Sequence, residues 1–163
     1  MTDKEFTLDT MRRYGKQRAQ ELQDNSSSMS NTELNSQDAY IPDFAEAKAK
    51  MNMLERHAGL TDGFVCKSSA GRVVRLIQNY DSEIYTEEPE ELPAQWGFAW
   101  SQDPSKAKPF ISIATSPYMT GDCCSVTVEE DGQEATKVYR SKMDHNTFSP
   151  LEYPDGWELV SVA

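Results

Sequence analysis

The sequence predicts an α+β fold in which helices at the amino end precede two small tandem antiparallel β modules. Three observations support this class: helical spacing of apolar residues before His57, short strand-like segments after Gly63, and a stretch around Trp96 that recurs around Trp157. Composition alone suits either one ordinary domain or two small modules. The predicted division is a helical segment 1–57 with a polar break near 24–31, a first β module 58–103, a connecting segment 104–116 and a second β module 117–163.

The first predicted helix begins at a capping box. Thr2 is followed three residues later by Glu5, a spacing at which each side chain caps the other residue's backbone N–H. A loose apolar stripe then extends to about Gln23, formed by Phe6, Met11, Tyr14 and Leu22. The run "DNSSSMSN" consists of turn formers and flexible polar residues and has no apolar stripe to pack, so it predicts a break or linker.

A second helix is predicted after Pro42, a residue suited to the first helical position. Its narrow apolar stripe is formed by Phe44, Ala47, Met51 and Leu54. The stripe is too short to indicate a coiled coil. Two roles stay open for it, namely packing on the first helix or forming a contact between chains.

From Gly63 onward the chain has the composition of β structure. The segments "FVCKSS", "RVVRLIQ", "FISIAT", "CSVTV" and "TKVYR" are rich in β-branched and aromatic residues and are separated by turn formers. Alternation is clearest in "FISIAT", where Phe110, Ser112 and Ala114 are expected on one side of a strand.

One segment pattern occurs twice without a gap, 61 positions apart. The superposed pairs are Val65 with Val126, Gly71 with Gly132, Pro89 with Pro150, Pro93 with Pro154, Trp96 with Trp157, and Phe98 with Leu159. We interpret this as a duplicated unit of strand, turn, strand, a loop stiffened by two prolines, and a final strand that begins at Trp. The alternative is a chance alignment of common turn residues. Equal placement in both copies favours core packing over ligand stacking for the two tryptophans.

Charge limits the classes of ligand. The formal net charge is -11, and 17 of the 27 acidic residues follow His57, so a nucleic-acid phosphate backbone is not an expected partner. A ligand of the β modules should be neutral or cationic. The sequence shows no signal peptide and no membrane-inserting stretch, which predicts synthesis in the cytoplasm. The three cysteines, Cys66, Cys123 and Cys124, are expected to be buried and free of disulfides.

The second copy resembles the family 5 and 12 carbohydrate-binding modules, small chitin-binding domains whose relatives occur in bacteriophage tail and baseplate proteins. The resemblance rests on these residues: Tyr118, Gly121, Asp122, Val126, Gly132, Tyr139, Pro154 and Trp157. It implies a small β module that binds a glycan, with a virion-associated location as one expectation. Chitin-binding members carry an exposed aromatic pair at the place occupied here by Met143 and Asp144, so chitin itself is not the expected ligand.

Aromatic residues in loops are the candidate ligand-binding residues, because binding side chains are commonly displayed there. They are Tyr80 and Tyr85 in the first copy, and Phe148 and Tyr153 in the second. Trp100 lies outside the repeat, and two positions stay open for it: exposed and available to a ligand, or packed between the modules.

No enzyme is predicted. A constellation of Cys124, Asp144 and His145 can be written down, but neighbours on an extended segment point to opposite sides, so Asp144 is poorly placed to orient His145. The acidic pairs are consecutive in sequence and suggest a solvated surface. We therefore expect no catalytic residues, no metal and no cofactor.

The leading hypothesis is a non-enzymatic accessory protein of phage or prophage type whose tandem modules recognise a surface glycan. The alternative is a structural or assembly component whose modules bind protein, with self-association through the amino-terminal helices as a homo-oligomer. A third hypothesis, an acidic mimic of nucleic acid, draws on net charge alone.

Overall fold

The computed structural model describes residues 2–46, 64–78 and 84–162, and the side chains of 161 and 162 lie outside this description. Helix α1, Asp3–Asn25, begins at the predicted capping box: the Thr2 hydroxyl accepts from the Glu5 N–H, and the Glu5 carboxylate accepts from the Thr2 N–H. The start of the helix is therefore confirmed, and its end lies close to the predicted Gln23.

The polar break is shorter than predicted and contains structure. A single 3-10 turn, Ser26–Ser28, is followed by a second helix, α2, Asn31–Ser36. The Ser30 side chain accepts from the Glu33 N–H and so caps α2. The buried side chain of Leu34 anchors this helix to the body. Capping and one buried leucine thus outweigh the polar composition of the segment.

The helix predicted after Pro42 falls mostly outside the described residues. Phe44–Glu46 are helical, and Phe44 is buried against Trp96 with ring centroids 5.7 Å apart. Ala47, Met51 and Leu54 lie outside the described residues. The described helices include none that is both long and apolar enough to cross a membrane.

Two sheets follow, and together with the helices they confirm the α+β class. The first has three antiparallel strands in the order β1-β2-β3, with bounds Val65–Lys67, Val73–Leu76 and Trp96–Phe98. The second has the order β4-β5-β6-β7, with bounds Lys108–Pro109, Cys123–Glu130, Gln133–Ser141 and Trp157–Val162. Among the strand pairs of the described ranges, β4–β5 is parallel and the others are antiparallel.

The strand predicted at "FISIAT" is wrong. The described backbone pairs only at Lys108–Pro109, one step before the alternating residues. The Phe110 N–H still donates to the Ser125 carbonyl of β5. The next residue bonds to a side chain instead of a strand, since the Ile111 N–H donates to the Tyr118 hydroxyl. Alternation in sequence could not reveal that the segment leaves the edge of β5 after Phe110.

Both sheets contain three consecutive antiparallel strands, but the corresponding strands are not separated by a constant number of residues. Gly71 and Gly132 both have positive φ, 83° and 78°, at the turn that joins the first two antiparallel strands of each sheet. Trp96 lies opposite Leu76, whereas Trp157 lies opposite Ser141. The last strands, β3 and β7, are therefore 61 positions apart, and the middle strands, β2 and β6, are 65 apart. The gap-free alignment fails in the middle strand, because the β5–β6 hairpin is longer than its counterpart.

One buried cluster includes residues of both sheets. Phe98 of β3 stacks on Trp100 with centroids 5.4 Å apart, Trp100 stacks on Tyr118 at 4.5 Å, and Tyr118 stacks on Phe110 at 5.4 Å. Trp157 of β7 meets the Tyr118 ring edge-on at 5.3 Å. Rings in these arrangements gain attraction beyond their buried area. The sheets consequently pack against a common aromatic core.

Candidate functional site

An exposed aromatic surface lies in the loop between β6 and β7. The rings of Phe148 and Tyr153 are 51% and 43% exposed, and their centroids are 5.7 Å apart with an interplanar angle of 50°. Leu151 lies between them in sequence and is 62% exposed. Phe148, Leu151 and Tyr153 together form the loop patch. Two of the four loop aromatics predicted from the sequence thus lie side by side.

A buried amide holds the loop in place. Asn146 has no exposed surface, and its side-chain N–H groups donate to the Ser141 hydroxyl at 3.1 Å and the Gly156 carbonyl at 3.2 Å. Its side-chain oxygen accepts from the Phe148 N–H at 3.2 Å. Its backbone exchanges two hydrogen bonds with Tyr118, a member of the aromatic core. The loop patch is therefore fixed to the core through one polar residue.

Further contacts fix the two rings. The Trp157 indole N–H donates to the Phe148 carbonyl at 2.9 Å, and the Tyr153 N–H donates to the Ser149 carbonyl at 2.9 Å. A Cβ at Gly156 would lie 2.8 Å from the Tyr153 ring, so only glycine lets this ring approach the backbone so closely. The patch is thus preorganised, which reduces the conformational entropy that a ligand would have to overcome.

Replacing Asn146 by alanine should loosen the loop patch. The change leaves the Phe148 N–H without its acceptor and takes one of two donors from the Gly156 carbonyl, which keeps the Lys142 N–H, at a cost of about 1–3 kcal/mol in the free energy of unfolding. Urea unfolding measures the loss, and amide exchange at Phe148 should accelerate. Thr147→Ala, at the neighbouring position, is the control. Equal stability of the two variants would contradict the role given to Asn146.

Two carboxylates interact near the start of this loop: Asp144 belongs to the loop and is exposed, and Asp122 directly precedes β5. Asp122 is 8% exposed, and its carboxylate accepts from the Met119 N–H. Burial raises the pKa of the Asp122 carboxyl from the ordinary 3.8 to about 6, the Met119 hydrogen bond opposes this, and the charge of Asp144 adds to it. Asp144 accepts from the backbone N–H of Thr120, and this bond lowers the pKa of its carboxyl.

Asp122 should make stability depend on pH. A folded-state pKa above the unfolded value means that the folded chain holds the proton more tightly, so this stabilisation is lost as pH rises from about 4 through about 6. The free energy of unfolding of Asp122→Asn, relative to the wild type, should therefore increase across that range in urea titrations. Asp144→Asn should show a change of the opposite sign and only below about pH 4, because a lowered pKa confines the titration of Asp144 to that range. Parallel pH profiles of Asp122→Asn and wild type would contradict this assignment.

The remaining predicted site residues are less accessible. Trp100 is 3% exposed, and its indole N–H donates to the Ser116 carbonyl, so packing is the alternative that the structure shows. Tyr85 is half-buried and packs against the core. Tyr80 lies outside the described residues. Trp96 and Trp157 are 0% and 4% exposed, which corresponds to the core-packing alternative.

The groups suggested for catalysis do not form a nucleophile and base. Cys124 has no exposed surface, and burial raises the pKa of its thiol far above its ordinary value, which disfavours the reactive thiolate. The His145 side chain is exposed. No hydrogen bond links Cys124, Asp144 and His145 in the part of the chain that the structure describes. Within the same ranges, no group of three or more His, Cys, Asp and Glu side chains could hold a metal ion.

Comparison with protein-family models, curated proteins and solved structures gives no match to this chain.

Proposed function

We propose that this chain is a non-enzymatic binding protein that recognises a surface carbohydrate through Phe148 and Tyr153, as an accessory protein of phage or prophage type. The phage setting draws only on the resemblance of residues 117–163 to phage-associated carbohydrate-binding modules. The exposed aromatic pair, held by buried polar contacts, is the observation that carries the carbohydrate assignment.

Exposed aromatic faces suit sugars for a physical reason. The face of an aromatic ring carries partial negative charge, and the C–H groups on one side of a pyranose present partial positive charge and apolar area. Two such rings that remain exposed on a stable loop have no role in the core. A ligand would cover them and recover the hydrophobic free energy of their burial.

The tilt between the rings favours a soluble glycan chain over a crystalline surface. At an interplanar angle of 50°, both rings cannot lie flat on one plane. They can contact two faces of a twisted oligosaccharide. The acidic residues of the same loop, Glu152 and Asp155, favour a neutral or cationic sugar over an acidic one.

Retention of the full chain on bacterial cell walls, on chitin and on a glycan array tests the proposal at physiological salt. We expect saturable binding that free soluble oligosaccharide competes away. Binding to crystalline chitin should be weaker than binding to a soluble glycan. Absence of retention on every surface, by protein shown to be folded, would contradict carbohydrate recognition.

A second candidate function is an assembly component that binds protein. The observation that favours it is the amino-terminal half of α1, where Phe6, Leu8, Met11 and Tyr14 are 64%, 43%, 64% and 58% exposed. An apolar helix surface of this kind is typical of a protein contact. Light scattering on the wild type and on a Phe6→Gln, Met11→Gln variant tests it. Loss of a complex in the variant would support this function, and equal masses would count against it.

A further inference from the structure

Within the described ranges, the outer edges of β1, β3 and β4 are occupied by side chains of the same chain. The Gln23 side chain bonds both the N–H and the carbonyl of Val65, and so occupies the outer edge of β1. On β3, the Phe98 N–H donates to the Ser116 hydroxyl. At β4, the Pro109 carbonyl accepts from the Arg72 guanidinium. Covering of this kind prevents unwanted pairing with other chains.

The outer edge of β5 beyond Ser125 has no strand beside it in the part of the chain that the structure describes, because β4 pairs only at Cys124 and Ser125. This stretch ends in Glu129 and Glu130, and like charges placed opposite each other would disfavour pairing with a second copy there.

The outer edge of β7 also has no neighbouring strand among the described residues. The Lys142 N–H donates to the Gly156 carbonyl, and hydrogen-bonded pairs alternate along an antiparallel ladder, so the N–H and carbonyl of Leu159 point away from β6. No described residue bonds to these two groups of Leu159, and its side chain is 51% exposed. The strand also lacks the proline and lysine that often block an edge.

We propose that β7 pairs with β7 of a second copy of this chain, antiparallel and about a two-fold axis at Leu159. Pairing at this residue lets the two Leu159 backbones exchange both of their outward hydrogen bonds. It joins two four-stranded sheets into one continuous sheet. The interface is isologous, the commonest arrangement in homodimers.

The sequence of β7 selects this register. A two-fold axis at Glu158 would place two glutamates opposite each other, which is destabilising. An axis at Trp157 would use an N–H that already donates to the Pro154 carbonyl. The axis at Leu159 instead places Glu158 opposite Val160 and brings the two exposed leucine side chains together.

Two features predict a weak dimer. The ladder between β6 and β7 shifts register beyond Leu159, where Val160 is the extra residue, and such a bulge bends the strand and shortens the regular edge. Each chain also carries a formal charge of -11, so the two copies repel each other. Association should therefore be concentration-dependent and should strengthen as salt is added.

Sedimentation equilibrium of the full chain, over a wide range of concentration and salt, tests the pairing. We expect a mass approaching twice 18.4 kDa at high concentration. Leu159→Lys should be monomeric, because the two-fold axis would place the lysine charges of the two copies next to each other. Leu159→Pro should do the same, since it removes only an N–H that β6 does not use. Leu159→Val is the matched control and should still dimerise.

Amide exchange at Leu159 provides a local readout. Its N–H should exchange quickly in dilute protein and become protected as the dimer forms. A wild type that stays monomeric at all concentrations would overturn the proposal. So would a folded Leu159→Lys variant that still dimerises, which would assign the contact to another surface such as α1.

Discussion

Replacing Phe148 and Tyr153 together by alanine should abolish retention of the chain on any glycan that the wild type binds. The two rings supply the exposed aromatic area of the loop patch, whereas the buried contacts that fix the loop involve backbone atoms and Asn146. Stability should therefore change little. Retention assays and urea unfolding on the same preparations separate loss of binding from loss of fold.

Three further variants make this result specific. Leu151→Ala removes an equally exposed apolar side chain without a ring and should keep most of the binding. Phe148→Tyr and Tyr153→Phe keep both aromatic faces and should also bind. Unchanged retention by the double alanine variant would remove the loop patch from the binding site.

Replacing Trp100 by alanine should cause the largest loss of stability, about 3–5 kcal/mol. The indole lies between Phe98 and Tyr118, so its removal leaves a cavity in the middle of the aromatic core and takes the donor from the Ser116 carbonyl. Such a loss is a large part of the net stability of an ordinary domain. Urea unfolding followed by fluorescence and circular dichroism measures it.

The same experiment tests whether the two sheets unfold together. Because the ring stack contacts both sheets, the Trp100→Ala change should lower a single transition seen by both probes. Phe6→Ala is the matched control, since that ring is 64% exposed on α1 and should cost little. Two separate transitions, with only one affected by Trp100→Ala, would contradict a common core.

Local signals in the sequence predicted local structure well. The reciprocal spacing of Thr2 and Glu5 located the start of α1, because a capping box depends only on near neighbours. The same spacing at Ser30 and Glu33 marks α2, although the polar run around it predicts a linker. The cap is thus the sequence signal for this helix.

Non-local relations were the part that the sequence could not reveal. A gap-free alignment matched the ends of the two repeats, but strand register depends on hairpin length, which that alignment does not constrain. Asn146 carries no sequence signal, since its partners Ser141, Phe148 and Gly156 come together only in the folded loop. The exposure of Phe148 and Tyr153, and the burial of Trp100, likewise depend on how the sheets pack.

The most direct test of carbohydrate recognition is amide chemical-shift mapping of the full chain as a soluble oligosaccharide is added. Binding through the loop patch should concentrate the shifts in residues 146–156, around Phe148 and Tyr153, and the shifts should saturate with added sugar. Shifts that cluster on α1 instead, or no shifts with any glycan tested, would contradict binding through this patch.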